Sequence, residues 1–395
     1  MRAVTRPLHA AVDLNDIAGG SGFLFVRDGI GIAGRGEVAR VPVDEVSAFL
    51  ASIKREDHVG IPGCGPVAIG VLPFVPGTPT EFVIPKVIVG KGPDDIVWIT
   101  GIDTDIDAAI AGFSPGRPPV PDGGTFSVRP GVPIDTYLAA VTAGRDAVQR
   151  GDMTKVVIAR DIIITADKPL DVRAILRRLR ASFGSSYRYS IDGFVGASPE
   201  LLIERRGDVV RSHPLAGTTP RTGDPATDAR MAAELMSSMK NQVEHRVVID
   251  VVNDTLLPWC SYLDWEAEPS IVAVANVQHL GTRLEGFLSQ PAPSVLEMAQ
   301  ALSPTPALGG HPRPEALALI AEVEGMDRGR YGGAVGWMDA DGNGTFAVAI
   351  RCANISGSEA HLYAGGGIVA ESDPLAELAE TQAKFQAMIS AIIRP

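Results

Sequence analysis

The sequence predicts an α+β fold, antiparallel sheet packed against helices, from three observations. Short apolar and β-branched runs recur along the whole chain. Gly, Pro, Asp and Asn turn signals join most of them directly, as in hairpins rather than βαβ units. Only four segments carry a helical apolar period, and they are long.

Taken in order, residues 1–130 are punctuated by Gly and Pro, and "GFLFV", "VAIGVLPFV" and "FVIPKVIV" read as strands. The stretch "FSPGRPPVPDGGTFSVRPGVP", 113–133, reads as a long loop. "PIDTYLAAVTAGRDAVQRG" starts with Pro and Asp and stops at Gly, which predicts a helix. "KVVIARDIIIT" is a strand, and "PLDVRAILRRLRASF" is a basic amphipathic helix. "YRYSIDGFVGASPELLIERRGDVVRSHPLAG" reads as consecutive antiparallel strands. Residues 228–258 read as one helix of about 30 residues by their apolar period. Further strands follow in "SIVAVANVQHLGTRLEGFL", "GAVGWMDADGNGTFAVAIRCANI" and "EAHLYAGGGIV". The last helix is expected from near Asp373 almost to the C-terminus.

Bulk properties exclude several function classes. The 395 residues can bury a sizeable core, and 45% hydrophobic with 21% charged residues is a globular balance. A formal net charge of −12, with no basic stripe interleaved with aromatics, argues against a nucleic-acid partner. Cys64, Cys260 and Cys352 are odd in number and widely spaced, which argues against a disulfide framework or zinc site and fits a reducing cytoplasm. The N-terminus lacks the apolar region of a signal peptide, and no run of about 18 apolar residues predicts a membrane span.

Two motif-like strings are set aside. "DADGNG", 339–344, starts like a calcium loop, but the twelfth position is Ile350 where a bidentate Glu is needed, so a hairpin turn is expected. "GIAGRGEVAR", 31–40, lacks the strand–helix setting of a dinucleotide site and reads as a loop.

Chemistry concentrates near the C-terminus. In "SDPLAELAETQAKF", Glu377, Glu380 and Lys384 recur at i, i+3 and i, i+4 spacing. A solvated helix face satisfies this spacing as well as a site wall does. Gly365 to Gly367 come just before that helix, where they suit either a close sheet contact or the approach of an anion to main-chain N–H groups. Glu244, in "KNQVEH", supplies a carboxylate on another helix. Carboxylates from two helices with room for water are what Mg²⁺ takes.

At this point the motifs become specific. "HPLAGTTPR" (213–221), "KNQVEH" (240–245), "VQHLGTRLEG" (277–286), "PTPALGGHPR" (304–313), "GRYGGAVGW" (329–337), "FAVAIRCA" (346–353) and "AGGGIVAESDPLAELAETQAKF" (364–385) occur in the order found in chorismate-utilising enzymes. The chain resembles that family over roughly 130–393, two thirds of its length. The resemblance implies two large, mainly antiparallel sheets packed together and flanked by helices. It implies one large domain over 1–395, with a variable half at 1–130 and a chorismate-binding catalytic core at 130–393.

The resemblance also implies roles. Glu244 and Glu380 match Mg²⁺ ligands, and Glu377 matches a carboxylate acting through metal-bound water. Asn241 stands where some members carry a second Glu. Tyr331, Arg351 and Lys384 match residues that hold substrate carboxylates. Gly217, Thr218, Gly365 and Gly367 match positions close to the substrate. His279 matches a histidine near the leaving group. Lys155 matches the lysine that activates water, and Glu200 the acid that protonates the departing hydroxyl. At their reference values of about 10.4 and about 4.3, both groups would be in the wrong protonation state. Each must therefore be shifted by burial or by neighbours.

The implied reaction is Mg²⁺-dependent isochorismate synthesis, an isomerisation in which water attacks C2 of chorismate and the C4 hydroxyl leaves. The alternatives are a salicylate synthase that continues to pyruvate elimination, an aminating enzyme, and a chorismate-binding protein without turnover. Lys155 argues against the aminating branch, and Ala216 stands where a nucleophilic lysine occurs in aminodeoxychorismate synthases. "GASPELL" and "PTPALGG" look like dedicated isochorismate synthases, although Ser303 replaces a His common before "PTPA" in siderophore-pathway members. The expected protein is a cytoplasmic monomer of quinone or siderophore biosynthesis, with no obligatory glutaminase subunit.

Overall fold

The computed structural model describes residues 1–113, 124–274 and 277–393. Hydrogen bonds join twenty strands into one network, and a separate three-stranded sheet is formed by Leu215–Pro220, Val277–Gly281 and Ser270–Ala273. Pairing is antiparallel except between Arg2–Pro7 and Lys54–Asp57. The N-terminal third is woven into the same network. Phe23–Arg27 pairs with Tyr187–Ile191, and Val67–Leu72 pairs with Ala334–Asp339.

Strand alternation builds the layers. Along Phe23–Arg27, Phe23 and Phe25 enter the largest core, packed with Tyr189, Phe194, Phe82 and Phe346 from other strands. Leu24 and Val26 point the other way, into a second core covered by the helices Val172–Phe183 and Pro374–Ile393. A strand apolar on both faces reads as a continuous run because each face meets its own partner layer. A third cluster packs Tyr137, Ala140 and Val141 of the helix Ile134–Arg150 onto Ile158 and Ile368. That places a helix behind the two strands that carry Lys155 and the triple glycine.

Three expectations are corrected. The helix over 228–258 is two helices, Pro225–Ser237 and Met239–Leu256. Ser238 between them is extended, and its hydroxyl accepts from the Asn241 N–H, so it caps the second helix. An apolar period runs through a one-residue break without registering it. "GIAGRGEVAR" is part of a long strand, Ile30–Pro42. Its glycines serve packing. A Cβ on Gly34 would lie 2.7 Å from the Pro85 side chain, and Gly36, at φ +63°, sits beside a register shift. Within 113–133, Phe126–Pro130 is a strand pairing with Lys155–Ala166, while 114–123 lie outside the described residues. An exposed edge strand needs no apolar face and tolerates Pro130, so composition alone suggests a loop.

"DADGNG" does turn between Ala334–Asp339 and Gly344–Val348. The Asp339 carboxylate accepts from the Gly63 and Asn343 N–H groups, which uses it structurally. Cys64, Cys260 and Cys352 are free thiols. Among the described residues, no helix is long and apolar enough to cross a membrane.

Candidate active site

The antiparallel pairing of Glu359–Ile368 with Lys155–Ala166 sets Gly367 opposite Val157 and Gly365 opposite Ala159. Side chains from two helices, a strand and a loop crowd against this glycine stretch. A Cβ on Gly366 would lie 2.6 Å from Glu377 Oε2 and 3.8 Å from Glu380 Oε1. A Cβ on Gly367 would lie 2.7 Å from Lys155 Cε and 2.9 Å from Glu244 Oε1, and one on Gly365 would lie 3.1 Å from the Tyr331 hydroxyl. The glycines therefore exist here to let other side chains in. Together these groups enclose a cavity of about 250 Å³, which also receives Glu200, Gly217, Thr218, His279, Arg351 and Lys384. All thirteen residues singled out in the sequence line it or reach it. Larger clefts of about 470 and 670 Å³ lie elsewhere. The smaller one brings together every residue singled out in the sequence, three carboxylates, two lysines, an arginine and a histidine among them, so it is the candidate site.

The helix Pro374–Ile393 supplies one wall. Asp373 caps it by accepting from the Ala376 N–H, and the Ser372 hydroxyl donates to Glu377 Oε1 at 2.9 Å. Lys384 Nζ donates to Glu380 Oε1 at 2.6 Å and to the Gly365 carbonyl at 2.7 Å. The favourable Glu–Lys pair of a surface helix is thus present, but it is docked onto the glycine strand. From the opposite side, Glu244 of Met239–Leu256 accepts from Lys155 Nζ at 2.7 Å. That ion pair is nearly sealed, with side-chain exposures of 12% and 4%.

His279 lies on Val277–Gly281, directly across from Thr218. Its Nδ1 is 3.1 Å from both the Thr218 hydroxyl and the Gly217 carbonyl, and its Nε2 is 3.3 Å from Arg351 Nη2. A guanidinium only donates and a carbonyl only accepts. Nε2 is therefore the acceptor and Nδ1 carries the hydrogen, which makes the ring neutral. Burial, with Arg351 and Lys384 nearby, agrees by pushing the His279 pKa down to about 3. Gly217 adopts φ +70°, the left-handed turn that brings its carbonyl to the imidazole.

Arg351 is half-buried, in left-handed backbone at φ +53°, an uncommon state for a side-chain-bearing residue. Its Nε has no hydrogen-bond partner, and burial lowers its pKa. An incompletely satisfied, half-buried guanidinium is suited to an incoming carboxylate. Tyr331 is buried, which raises its pKa, and its ring stacks on Tyr363 at 5.4 Å. Glu200 is fully enclosed. Burial raises its pKa to about 7, against the opposing pull of the Leu215 N–H, Lys155 and Arg351.

A buried ion pair braces three parts of this cavity. Arg328 Nε donates to Glu324 Oε2 at 2.8 Å, and the guanidinium also donates to the Leu308 and Val157 carbonyls. Glu324 Oε1 in turn accepts from the Ala159 N–H at 2.7 Å. Removing one partner leaves the other charged and buried. Glu324→Ala is expected to cost about 3–5 kcal/mol of folding stability, read as a lowered denaturant midpoint.

The residues fit a hard divalent cation. The Glu244, Glu377 and Glu380 oxygens approach the space left open over Gly366 and Gly367, and oxygen donors with room for water suit Mg²⁺. Among the described residues, no three His, Cys, Asp or Glu side chains are already gathered about one point. Instead, Glu244 and Glu380 each hold a lysine ammonium.

Sequence reasoning left the apolar part of the lining unassigned. Leu215, Ala307, Leu308 and Ile350 reach the cavity, each inside or beside a quoted motif. Their membership in "HPLAGTTPR", "PTPALGG" and "FAVAIRCA" was the available signal. Nothing in an isolated string says which way such side chains face.

Comparison with known proteins agrees with this geometry. Residues 120–393 match the family model described as chorismate binding enzyme. The MenF protein of Mycobacterium tuberculosis H37Rv is 41% identical over 347 residues, covering 84% of this chain and 87% of that protein. Isochorismate synthase DhbC of Bacillus subtilis is 36% identical over 338 residues, covering 83% and 81%. Among solved structures, MenF, the menaquinone-specific isochorismate synthase of Escherichia coli, superposes with a TM-score of 0.84 over 99% of this chain and 94% of that one. Its 24% identity makes this a likeness of fold.

Proposed function

The chain belongs to the chorismate-binding enzyme family, and from that premise we propose that it is an Mg²⁺-dependent isochorismate synthase. One observation carries the reading. Lys155 and Glu200, a base at the start of one strand and an acid in the turn between two others, face one cavity that also holds three carboxylates and the cationic Arg351 and Lys384. An amine base for water and a carboxylic acid for a hydroxyl leaving group are what hydration at C2 with loss at C4 requires.

In this reading Arg351, Tyr331 and Lys384 bind the substrate carboxylates, which lets a chain of net charge −12 attract a dianion. Lys155, once deprotonated, takes a proton from the water that bonds to C2. Glu200 gives its proton to the C4 oxygen, that C–O bond breaks, and the ring double bonds shift. One water enters and one leaves, so the product is an isomer. With its proton on Nδ1, His279 orients Arg351 and leaves Glu200 as the acid. Glu244 and Glu380 would hold Mg²⁺ directly and Glu377 through water, and the bound ion would offset the converging carboxylates and a substrate carboxylate.

The test is a product assay. Pure protein with chorismate and Mg²⁺ should give isochorismate by chromatography. EDTA should abolish turnover and excess Mg²⁺ restore it. Absence of turnover would overturn the reading. Salicylate and pyruvate in equal amounts would reassign the chain to salicylate synthesis.

A further inference from the structure

Arg188 is a buried charge that the proposed reaction does not use. It lies on Tyr187–Ile191, where alternation sends Tyr187 and Tyr189 into the largest core and turns Arg188 to the opposite face. The residue is 2% exposed. Its Nη1 donates to Asn15 Oδ1 at 3.1 Å, and its Nε is buried without a partner. Among the described residues, no carboxylate pairs with it. A guanidinium held this way is costly unless something completes its shell. Burial, reinforced by repulsion from Arg180, pushes its pKa down to about 10, so it keeps its charge at neutral pH.

The side chain lines a cavity of about 390 Å³ beside the short helix Leu14–Ala18. Val12, Leu14 and Val26 give the cavity an apolar wall, and Lys91, Arg180, Asp13 and Asp28 supply charge. Those charges are already matched. Asp13 pairs with Arg180, Asp28 with Arg27 at 3.6 Å, and Lys91 with Asp95 at 3.3 Å. Arg188 feels Asp13 and Asp28 through space and, among the described residues, forms no ion pair or hydrogen bond with either.

We propose that this cavity binds a small organic monocarboxylate, its carboxylate on the Arg188 guanidinium and its apolar body against Val12, Leu14 and Val26. The planar guanidinium of arginine matches a carboxylate in two parallel hydrogen bonds. The volume suits a compact ring, and ligand sites combine an apolar wall with few charged anchors in this way. The cavity shares no lining residue with the candidate active site. Its ligand therefore need not be the substrate.

Benzoate is the probe, titrated calorimetrically into the full chain, with inorganic phosphate as the comparison. Wild type should bind one benzoate at millimolar concentration. Asn15→Asp puts a carboxylate where an amide oxygen already touches Arg188, so an internal pair replaces the ligand. It should bind benzoate at least about tenfold more weakly, while folding and chorismate turnover stay unchanged. Arg188→Gln should lose binding as well. Benzoate binding that both variants retain would overturn the proposal, as would a wild type that binds no benzoate, whether or not it takes phosphate.

Discussion

Lys155→Ala should reduce isochorismate formation by about 10²–10⁴-fold, the usual worth of a positioned general base. The loss should fall on kcat, because the groups assigned to the substrate carboxylates are untouched. The chemical reason is local. Lys155 comes from the first residue of its strand, and Nζ is held at 2.7 Å from Glu244 beside the glycine stretch. The cavity's other lysine, Lys384, belongs in the proposed reading to the substrate carboxylates and is bonded to Glu380 and the Gly365 carbonyl. The variant also separates catalysis from cation binding. Glu244, Glu377 and Glu380 all remain, so Mg²⁺ titration followed calorimetrically should still show binding. Turnover at the wild-type rate would remove Lys155 as the base.

Glu200→Gln should produce a comparable loss together with a gain in stability. The kinetic loss, again about 10²–10⁴-fold, follows from removing the proton donor while keeping the shape. The wild type should show its own signature. Glu200 works as an acid only when protonated, so with a pKa of about 7 its limb of kcat/KM should fall as pH rises through that value. That limb should vanish in the variant. Stability runs in parallel. Burial raises the folded-state pKa from 4.5 to about 7, so the folded chain holds this proton where the unfolded chain releases it. The contribution of Glu200 is complete below pH 4.5 and is lost as pH rises toward 7. At alkaline pH the loss amounts to about 3 kcal/mol, and Gln does not incur it. Denaturant unfolding of both proteins at acid and alkaline pH should show curves that coincide in acid and diverge in base. A wild-type midpoint that rises with pH would contradict the burial of Glu200.

Several features were legible in the sequence because they are written in neighbouring residues. The Ser372–Asp373–Pro374 start of the last helix is one, and Asp373 does cap it. The hairpin at 339–344 is another, set by Asp and Gly. The residues around the cavity were legible for a different reason. Long motifs in fixed order matched a family, and spacing alone left Glu377, Glu380 and Lys384 equally at home on a solvated face. What stayed hidden depends on contacts across the chain. The glycines at 31–36 look like a loop until Pro85 is seen pressing on Gly34. The break at Ser238 is one residue long. The Glu324–Arg328 pair has the spacing of an ordinary surface pair, and only the fold reveals that it is sealed. Arg188 gives no sign of isolation, because a sequence does not say which acids are already taken.

The brace formed by Glu324 and Arg328 also bears on how the cavity can move. It fastens Leu308, Val157 and Ala159 to one another, and Tyr331 follows directly, its N–H bonded to the Arg328 carbonyl. This half is tied internally by buried bonds and has little freedom to flex. The opposite half comes from the helices Met239–Leu256 and Pro374–Ile393, and it meets the first through Lys155–Glu244 and Lys384–Gly365. Glu380, at 33% side-chain exposure, is the more open of its carboxylates. Two lysine ammonium groups thus join the braced side to the carboxylate-bearing side, and each would have to release its carboxylate for a cation to be held there.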